Sequence, residues 1–197
     1  MEIEVKVFDI DVPDIQARLR AVGCVCQGRE FQRNHMYDYP DQRLYLAQDG
    51  SYVRLRLRHW FDSDRSEIRL TFKQTLSRDT YKIADESETT VGDFTQAEQI
   101  LYKLGLVQTR IDEKIRETWL WQPADRPAVH FEIDEWAGLP PYLEVEATGE
   151  AQLAEALALL GYTLQDTSTA SLREVLASYK IESSTLRFAD FGRSIAI

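Results

Sequence analysis

The sequence is poor in cysteine, in histidine and in long apolar runs. Its two cysteines, Cys24 and Cys26, stand two apart. A bond between them would be strained, which excludes a disulfide framework. Both read as buried small hydrophobes in a reducing compartment. The three histidines, His35, His59 and His130, show no metal-ligand spacing. No stretch approaches the roughly 18 apolar residues of a membrane-spanning helix. A basic excess is lacking too. The chain has 33 acids against 23 Lys and Arg, a formal net charge of −10 and a pI near 4.8. That balance argues against a nucleic-acid partner, because duplex binders carry a basic surplus. A local basic pocket can still sit inside an acidic protein. The opening residues, Met1-Glu2-Ile3-Glu4, are wrong for a signal peptide. The expectation is a cytoplasmic protein with no membrane partner.

What is present is enough apolar material for a core. Hydrophobic residues make up 44%, including four Trp, nine Tyr and eight Phe. The 197 residues fit one domain, 1–180, with 181–197 as a C-terminal tail that is either loose or laid over one end of the fold. Helices are predicted at about 12–22, 95–104, 150–160 and 169–180. Asp11 is a good N-cap for the first, Pro13 fits its first turn and Gly23 ends it; Asp93 or Thr95 caps the second. Strands are predicted at about 2–8, 31–38, 52–60, 67–75, 80–90, 110–121, 128–135 and 142–147. Turn signals such as Asp49-Gly50 and Gly138-Leu139-Pro140-Pro141 separate them. Many strands with few helices imply a mainly β (α+β) fold. The expected form is an eight-stranded antiparallel closed barrel with flanking helices, since closure removes exposed edges.

The strands carry a charge pattern. Residues two apart share a face. Glu2, Glu4 and Lys6 oppose Ile3, Val5 and Val7. Arg54, Arg56 and Arg58 oppose Val53, Leu55 and Leu57. Arg69, Thr71 and Lys73 share a face, as do Glu86 and Glu88, Lys114 and Arg116, Glu132 and Asp134, and Glu144 and Glu146. A sheet with one solvated face also alternates. Such faces, however, mix in neutral polar residues and pair opposite charges across strands. Here most strands are nearly pure in sign, which makes sense if each set faces a ligand. Convergent Arg and Lys neutralise a triphosphate. Clustered carboxylates would repel it unless Mg²⁺ or Mn²⁺, which take oxygen ligands, sit between. A cavity with a basic wall and an acidic wall is therefore suited to a metal-bound triphosphate.

These residues resemble a known family. Glu2-Ile3-Glu4-Val5-Lys6 is similar to the Glu-x-Glu-x-Lys signature of the CYTH superfamily, also called the triphosphate tunnel metalloenzymes. Tyr52-Val53-Arg54-Leu55-Arg56, Leu70-Thr71-Phe72-Lys73, Glu86-Ser87-Glu88, Lys114-Ile115-Arg116 and Ile133-Asp134 resemble its later strands in order. Tyr142-Leu143-Glu144-Val145-Glu146 and the Ser171–Leu176 helix complete the series. The resemblance implies a tunnel in which Glu2, Glu4, Glu88, Asp134, Glu144 and Glu146 hold Mg²⁺ or Mn²⁺. It implies that Arg54, Arg56, Lys73, Lys114 and Arg116 bind the triphosphate, with Lys6 assisting catalysis. Two departures stand out. Met36 replaces a tyrosine that thiamine triphosphatases pair with the first-motif lysine, and Ile83-Ala84-Asp85 replace an arginine before the central Glu-x-Glu pair. The expected activity is hydrolysis of inorganic tripolyphosphate or an organic triphosphate. The alternatives are a class IV adenylyl cyclase and a non-enzymatic polyphosphate binder. A homodimer is compatible with the family, though no interface is legible.

Overall fold

A computed structural model describes residues 2–47, 51–77, 82–181 and 185–196; the side chains of residues 2, 47, 75, 77 and 82–84 fall outside that description. The chain begins with β1 (Glu2–Val7), α1 (Val12–Ala21), β2 (Val25–Asp38), α2 (Arg43–Ala47) and β3 (Tyr52–Trp60). It continues through β4 (Ser66–Ser77), β5 (Lys82–Thr90), α3 (Phe94–Lys103), β6 (Val107–Trp121) and β7 (Val129–Trp136). It ends with β8 (Tyr142–Ala147), α4 (Glu150–Leu159), α5 (Leu172–Ser178) and β9 (Thr185–Leu186).

The helix ends follow from local chemistry. Asp11 accepts from the Asp14 backbone N–H at 2.9 Å, satisfying an orphan donor of α1. Asp93, rather than Thr95, caps α3 by accepting from Gln96 N at 2.8 Å. Ser171 and Glu174 form a reciprocal capping box on α5, which starts later than the predicted 169. Gly138 turns the chain from β7 to β8 at φ 77, a left-handed conformation that favours glycine, and Phe191 packs against the space a Cβ would need.

The sheet is mainly antiparallel, in the order β2-β3-β4-β5-β1-β8-β7-β6-β9, and β2 also pairs with β6. The closed eight-stranded barrel expected from the sequence is corrected to a curled sheet with an open side. β1 is only 6 residues long. It reaches three partners on β5, with Glu2, Ile3 and Glu4 opposite Ala84, Ile83 and Lys82. Residues 85–90 of β5 pair with β4 alone and are exposed, so the wall gapes there.

β1, β2, β3, β6, β7 and β8 send buried apolar residues outward to the helices. Ile3, Val5 and Val7 pack with Phe131, Leu143 and Val145 against Ile15 and Leu19 of α1 and Leu153 and Leu157 of α4. Tyr37 and Leu55 pack beneath Ala97 and Leu101 of α3. A third cluster joins Phe31 and Ile115 to Val175, Leu176, Leu186 and Phe188. The C-terminal residues thus enter the core, and β9 pairs in parallel with Ile111 and Asp112 of β6. Neither α2 nor β9 was anticipated. The Asp49-Gly50 turn lies outside the described residues. Of the cysteines only Cys24 is buried; Cys26 is exposed, a correction that follows from its place at the start of β2, before the strand's buried stretch. Among the described residues no helix is long and apolar enough to cross a membrane.

Candidate active site

The opposite, inner faces carry the charges. Ion pairs between strands that are not neighbours establish that these faces converge. Lys73 of β4 lies 3.9 Å from Glu4 of β1, and Arg116 of β6 lies 3.1 Å from Glu144 of β8. Arg54 of β3 reaches Glu86 of β5 at 2.9 Å. Glu4, Lys6, Arg54, Lys114, Arg116, Glu132, Asp134 and Glu144 are all buried. Charges are buried only when paired, ligated or hydrogen-bonded.

One end is acidic. Ligand oxygens of Glu4, Glu144 and Glu146 lie within 4.8 Å of one another, and His130, Glu132 and Glu146 form a second group meeting the same criterion. β1 and β8 bring Glu4 opposite Glu146 in register, with Lys6 opposite Glu144. Burial, then Glu132, Glu144 and Glu4, push the Glu146 carboxyl well above the usual carboxylate range. Burial likewise raises Glu132; Arg116 opposes this, Asp134 and Glu144 add to it, and its pKa comes to about 7. Hard oxygen donors in mutual repulsion are the donor set that suits Mg²⁺ or Mn²⁺, so the residues fit a divalent cation. Lys6 bridges Glu4 at 3.2 Å and Glu144 at 3.1 Å. Burial pulls its ammonium down, but Glu144 and Glu4 more than offset this and hold it well above its ordinary value.

The other wall is basic. Arg56 donates to Asn34 and makes no ion pair among the described residues. Burial, then Arg54 and Arg116, lower its pKa to about 9, so it remains charged at neutral pH. Lys114 is depressed first by burial and then by Arg116, with Asp134 partly opposing. Arg54 has a buried Nε without a hydrogen-bond partner. Such a donor costs about 1–3 kcal/mol unless an acceptor arrives. A polyanion's oxygens would supply that acceptor and neutralise the cluster.

Of the remaining expected residues, Asp134 and Glu88 have the following partners. Asp134, fully buried, accepts from Lys114 Nζ at 2.8 Å and from Arg116 Nε and Nη2 at 2.6 Å each. Its oxygens therefore hold two cations, and Arg116 Nη2 also meets Glu144 at 3.1 Å. Glu88 accepts from Thr71 at 2.8 Å, pairs with Arg69 and lies 3.7 Å from Arg54. Glu2 lies on β1 by backbone, but its side chain is outside the described residues. Arg58 is held by Glu30 at 2.8 Å, and Gln32 hydrogen-bonds the same carboxylate. Glu30, Gln32, Asn34 and Asp112 are buried on the same inner rows, and none was expected. Their parity on β2 and β6 was visible, but mixed polarity concealed it.

No curated protein matches the sequence. The structure is similar to a Pyrococcus horikoshii OT3 protein, with a TM-score of 0.70 and 20% identity over 91% of this chain and 99% of that one. It is similar to a Vibrio parahaemolyticus protein provisionally named an adenylate cyclase, with a TM-score of 0.69 and 16% identity over 89% and 97% of the two chains. It also resembles a Hippeastrum protein, provisionally named an adenylyl cyclase and described as having a dominant triphosphatase activity. There the TM-score is 0.63 at 17% identity, over 94% and 99% of the two chains. At such identities the likeness is one of fold. The family comparison goes further, since the CYTH domain model matches residues 1–170. With that match running through the strands that carry the acidic and basic walls, the chain belongs to the CYTH domain family.

Proposed function

We propose that the protein is a metal-dependent hydrolase of a triphosphate substrate. The observation that carries this reading is Arg56. Among the described residues it is a cation without a carboxylate partner, surrounded by Arg54, Arg58 and Arg116, and it faces the lumen that also holds the acidic group. Its neighbours are matched by carboxylates, Arg54 by Glu86, Arg58 by Glu30 and Arg116 by Asp134, so the uncancelled charge of this wall is concentrated at Arg56. A phosphate chain would lie against Arg54, Arg56, Lys73, Lys114 and Arg116. Asp134 would fix Arg116 and Lys114 in place.

Glu4, Glu144 and Glu146 would hold Mg²⁺ or Mn²⁺, with Glu2 sharing their strand face by parity. Bound there, the cation would neutralise phosphate oxygens and position the attacked phosphorus. Lys6, gripped by two of those acids, would orient them and present its ammonium to a phosphate oxygen. Its raised pKa keeps it charged, which suits electrostatic stabilisation rather than general-base work.

The test is incubation with Mn²⁺ or Mg²⁺ and, separately, tripolyphosphate and ATP. Release of orthophosphate supports hydrolysis. Release of pyrophosphate with cyclic AMP would replace it by cyclisation, and binding without turnover would leave a polyphosphate binder.

A further inference from the structure

On the outer side of β6 and β7, under α1, lies a cavity of about 350 Å³. That size is within the range that holds small ligands. Val12, Ile115, Ile133 and Pro141 give it apolar walls, and Gln16 and Glu117 bring in polar groups. The cavity is separate from the lumen. Ile115 and Glu117 alternate along β6 with Lys114 and Arg116, whose side chains face the other way.

Glu117 sets the chemistry. It accepts from Gln16 Nε2 at 2.9 and 3.0 Å and from Trp119 Nε1 at 2.6 Å. Both donors are neutral, and Glu117 makes no ion pair among the described residues. The neighbouring cations have partners other than Glu117. Arg29 also lines the cavity and pairs there with Glu135, another lining residue, at 3.2 Å, and Glu135 also holds Arg193. Arg20, one turn along α1 from Gln16, stacks over the Trp119 ring at 5.1 Å. A part-buried carboxylate beside apolar walls, met only by neutral N–H groups, is stabilised further by a cation. A bare metal ion would find no ring of oxygen ligands among Val12, Ile115, Ile133 and Pro141. An anion would be repelled by Glu117, which has no ion pair among the described residues, while Arg29 and Glu135 offset each other.

We infer that this cavity binds a small organic cation, an alkylammonium or guanidinium whose head meets Glu117 and whose short apolar body fills the space between Val12, Ile115, Ile133 and Pro141. The inference does not rest on the proposed hydrolase activity.

The probes are butylammonium and butylguanidinium, with butanol as the neutral control. They are titrated into isotopically labelled protein at constant ionic strength and saturating Mg²⁺, followed by amide chemical shifts. Saturating shifts at Gln16, Ile115, Glu117 and Ile133 are expected, with butylammonium binding about tenfold or more tighter than butanol. Glu117→Gln keeps the side-chain shape and should lose that preference. Gln16→Lys puts an ammonium beside Glu117 and should abolish binding. Glu146→Gln, in the lumen, should leave it intact. Absence of shifts at the cavity, equal binding of butanol, or binding that survives Gln16→Lys but disappears in Glu146→Gln overturns the inference.

Discussion

Arg56 donates its Nε hydrogen to Asn34 Oδ1 across 2.8 Å, and the two residues face each other in the β2–β3 register. Asn34 holds the guanidinium in position without cancelling its charge. Arg54 and Arg58, on either side, are neutralised by Glu86 and Glu30. Arg56 is thus the strongest remaining attraction for a polyanion on β3. Arg56→Ala should lower kcat/KM for tripolyphosphate by about 10- to 100-fold, the range of a lost charge-assisted hydrogen bond. Asn34→Asp should also weaken substrate binding while raising the melting temperature of the ligand-free protein. Steady-state kinetics beside calorimetric melting separates the two effects. Unchanged kinetics in both variants would remove Arg56 from the site.

The acidic end predicts proton-coupled metal binding. Burial and the acids around Glu146 hold its carboxyl well above the usual range. A cation must displace that proton, so apparent metal affinity should fall as pH falls. The stability sign is opposite for the metal-free protein. Below about pH 4.3 the carboxyl is protonated folded and unfolded alike, and rising pH ionises the unfolded chain first. Chelated protein should therefore lose melting temperature as pH rises from 5 to 8, and Mn²⁺ should reverse the loss. Glu146→Gln should flatten the chelated profile and raise the Mn²⁺ concentration for half-maximal activity several-fold. Matching profiles for parent and variant would exclude Glu146 from the metal group.

Leu157 of α4 is fully buried among Val5, Leu143 and Leu153. Leu157→Ala should destabilise the fold by about 2–5 kcal/mol through lost burial and a residual cavity. Denaturant unfolding measures this. Metal-dependent activity per folded molecule should remain, because the leucine packs on the face opposite the charges.

Much of this arrangement was legible from strand parity. The alternation in β1, β3 and β8 separates Val5, Leu55 and Val145 from Glu4, Arg56 and Glu144 without reference to any partner. What parity cannot supply is register, which decides which charges meet. Parity places Asp134 on the charged face, but only the β6–β7 register sets it opposite Arg116, where its oxygens accept from that guanidinium and from Lys114. Glu30 was missed because Gln32 and Asn34 share its face and dilute the sign. Closure was overestimated because the shortness of the β1–β5 seam depends on where two strands begin to pair, not on their composition. The role of Leu186 and Phe188 in the core depends on a two-residue strand, too short for periodicity to reveal.

His35 points away from the lumen, stacks edge-on against Phe94 of α3 at 4.8 Å and lies 3.7 Å from Glu98. Burial lowers its pKa more than Glu98 and Gln108 restore. A depressed imidazole contributes stability above the unfolded value near 6.5, and that contribution is lost as pH falls through the folded value. The melting temperature of the parent relative to His35→Gln should be level above pH 7 and decline below about 6.5. A difference that instead grows on acidification would mean that Glu98 dominates and holds His35 charged.

The two cysteines differ enough to be told apart in solution. Burial pushes the Cys24 thiol up to about 11, and its side chain packs in the core beside Leu19 and Trp119. Cys26, two residues on, is exposed. Since the thiolate is the reactive form, Cys24 is protected twice, by protonation and by access. A disulfide reagent at pH 8 should titrate one thiol rapidly in the native protein and the second only after denaturation. Cys26→Ser should remove the fast phase and leave the slow one, whose rate then reports how often the α1 side of the core opens. Two equally fast thiols would show that β2 is not anchored at its start and that Cys24 lies outside the packed cluster.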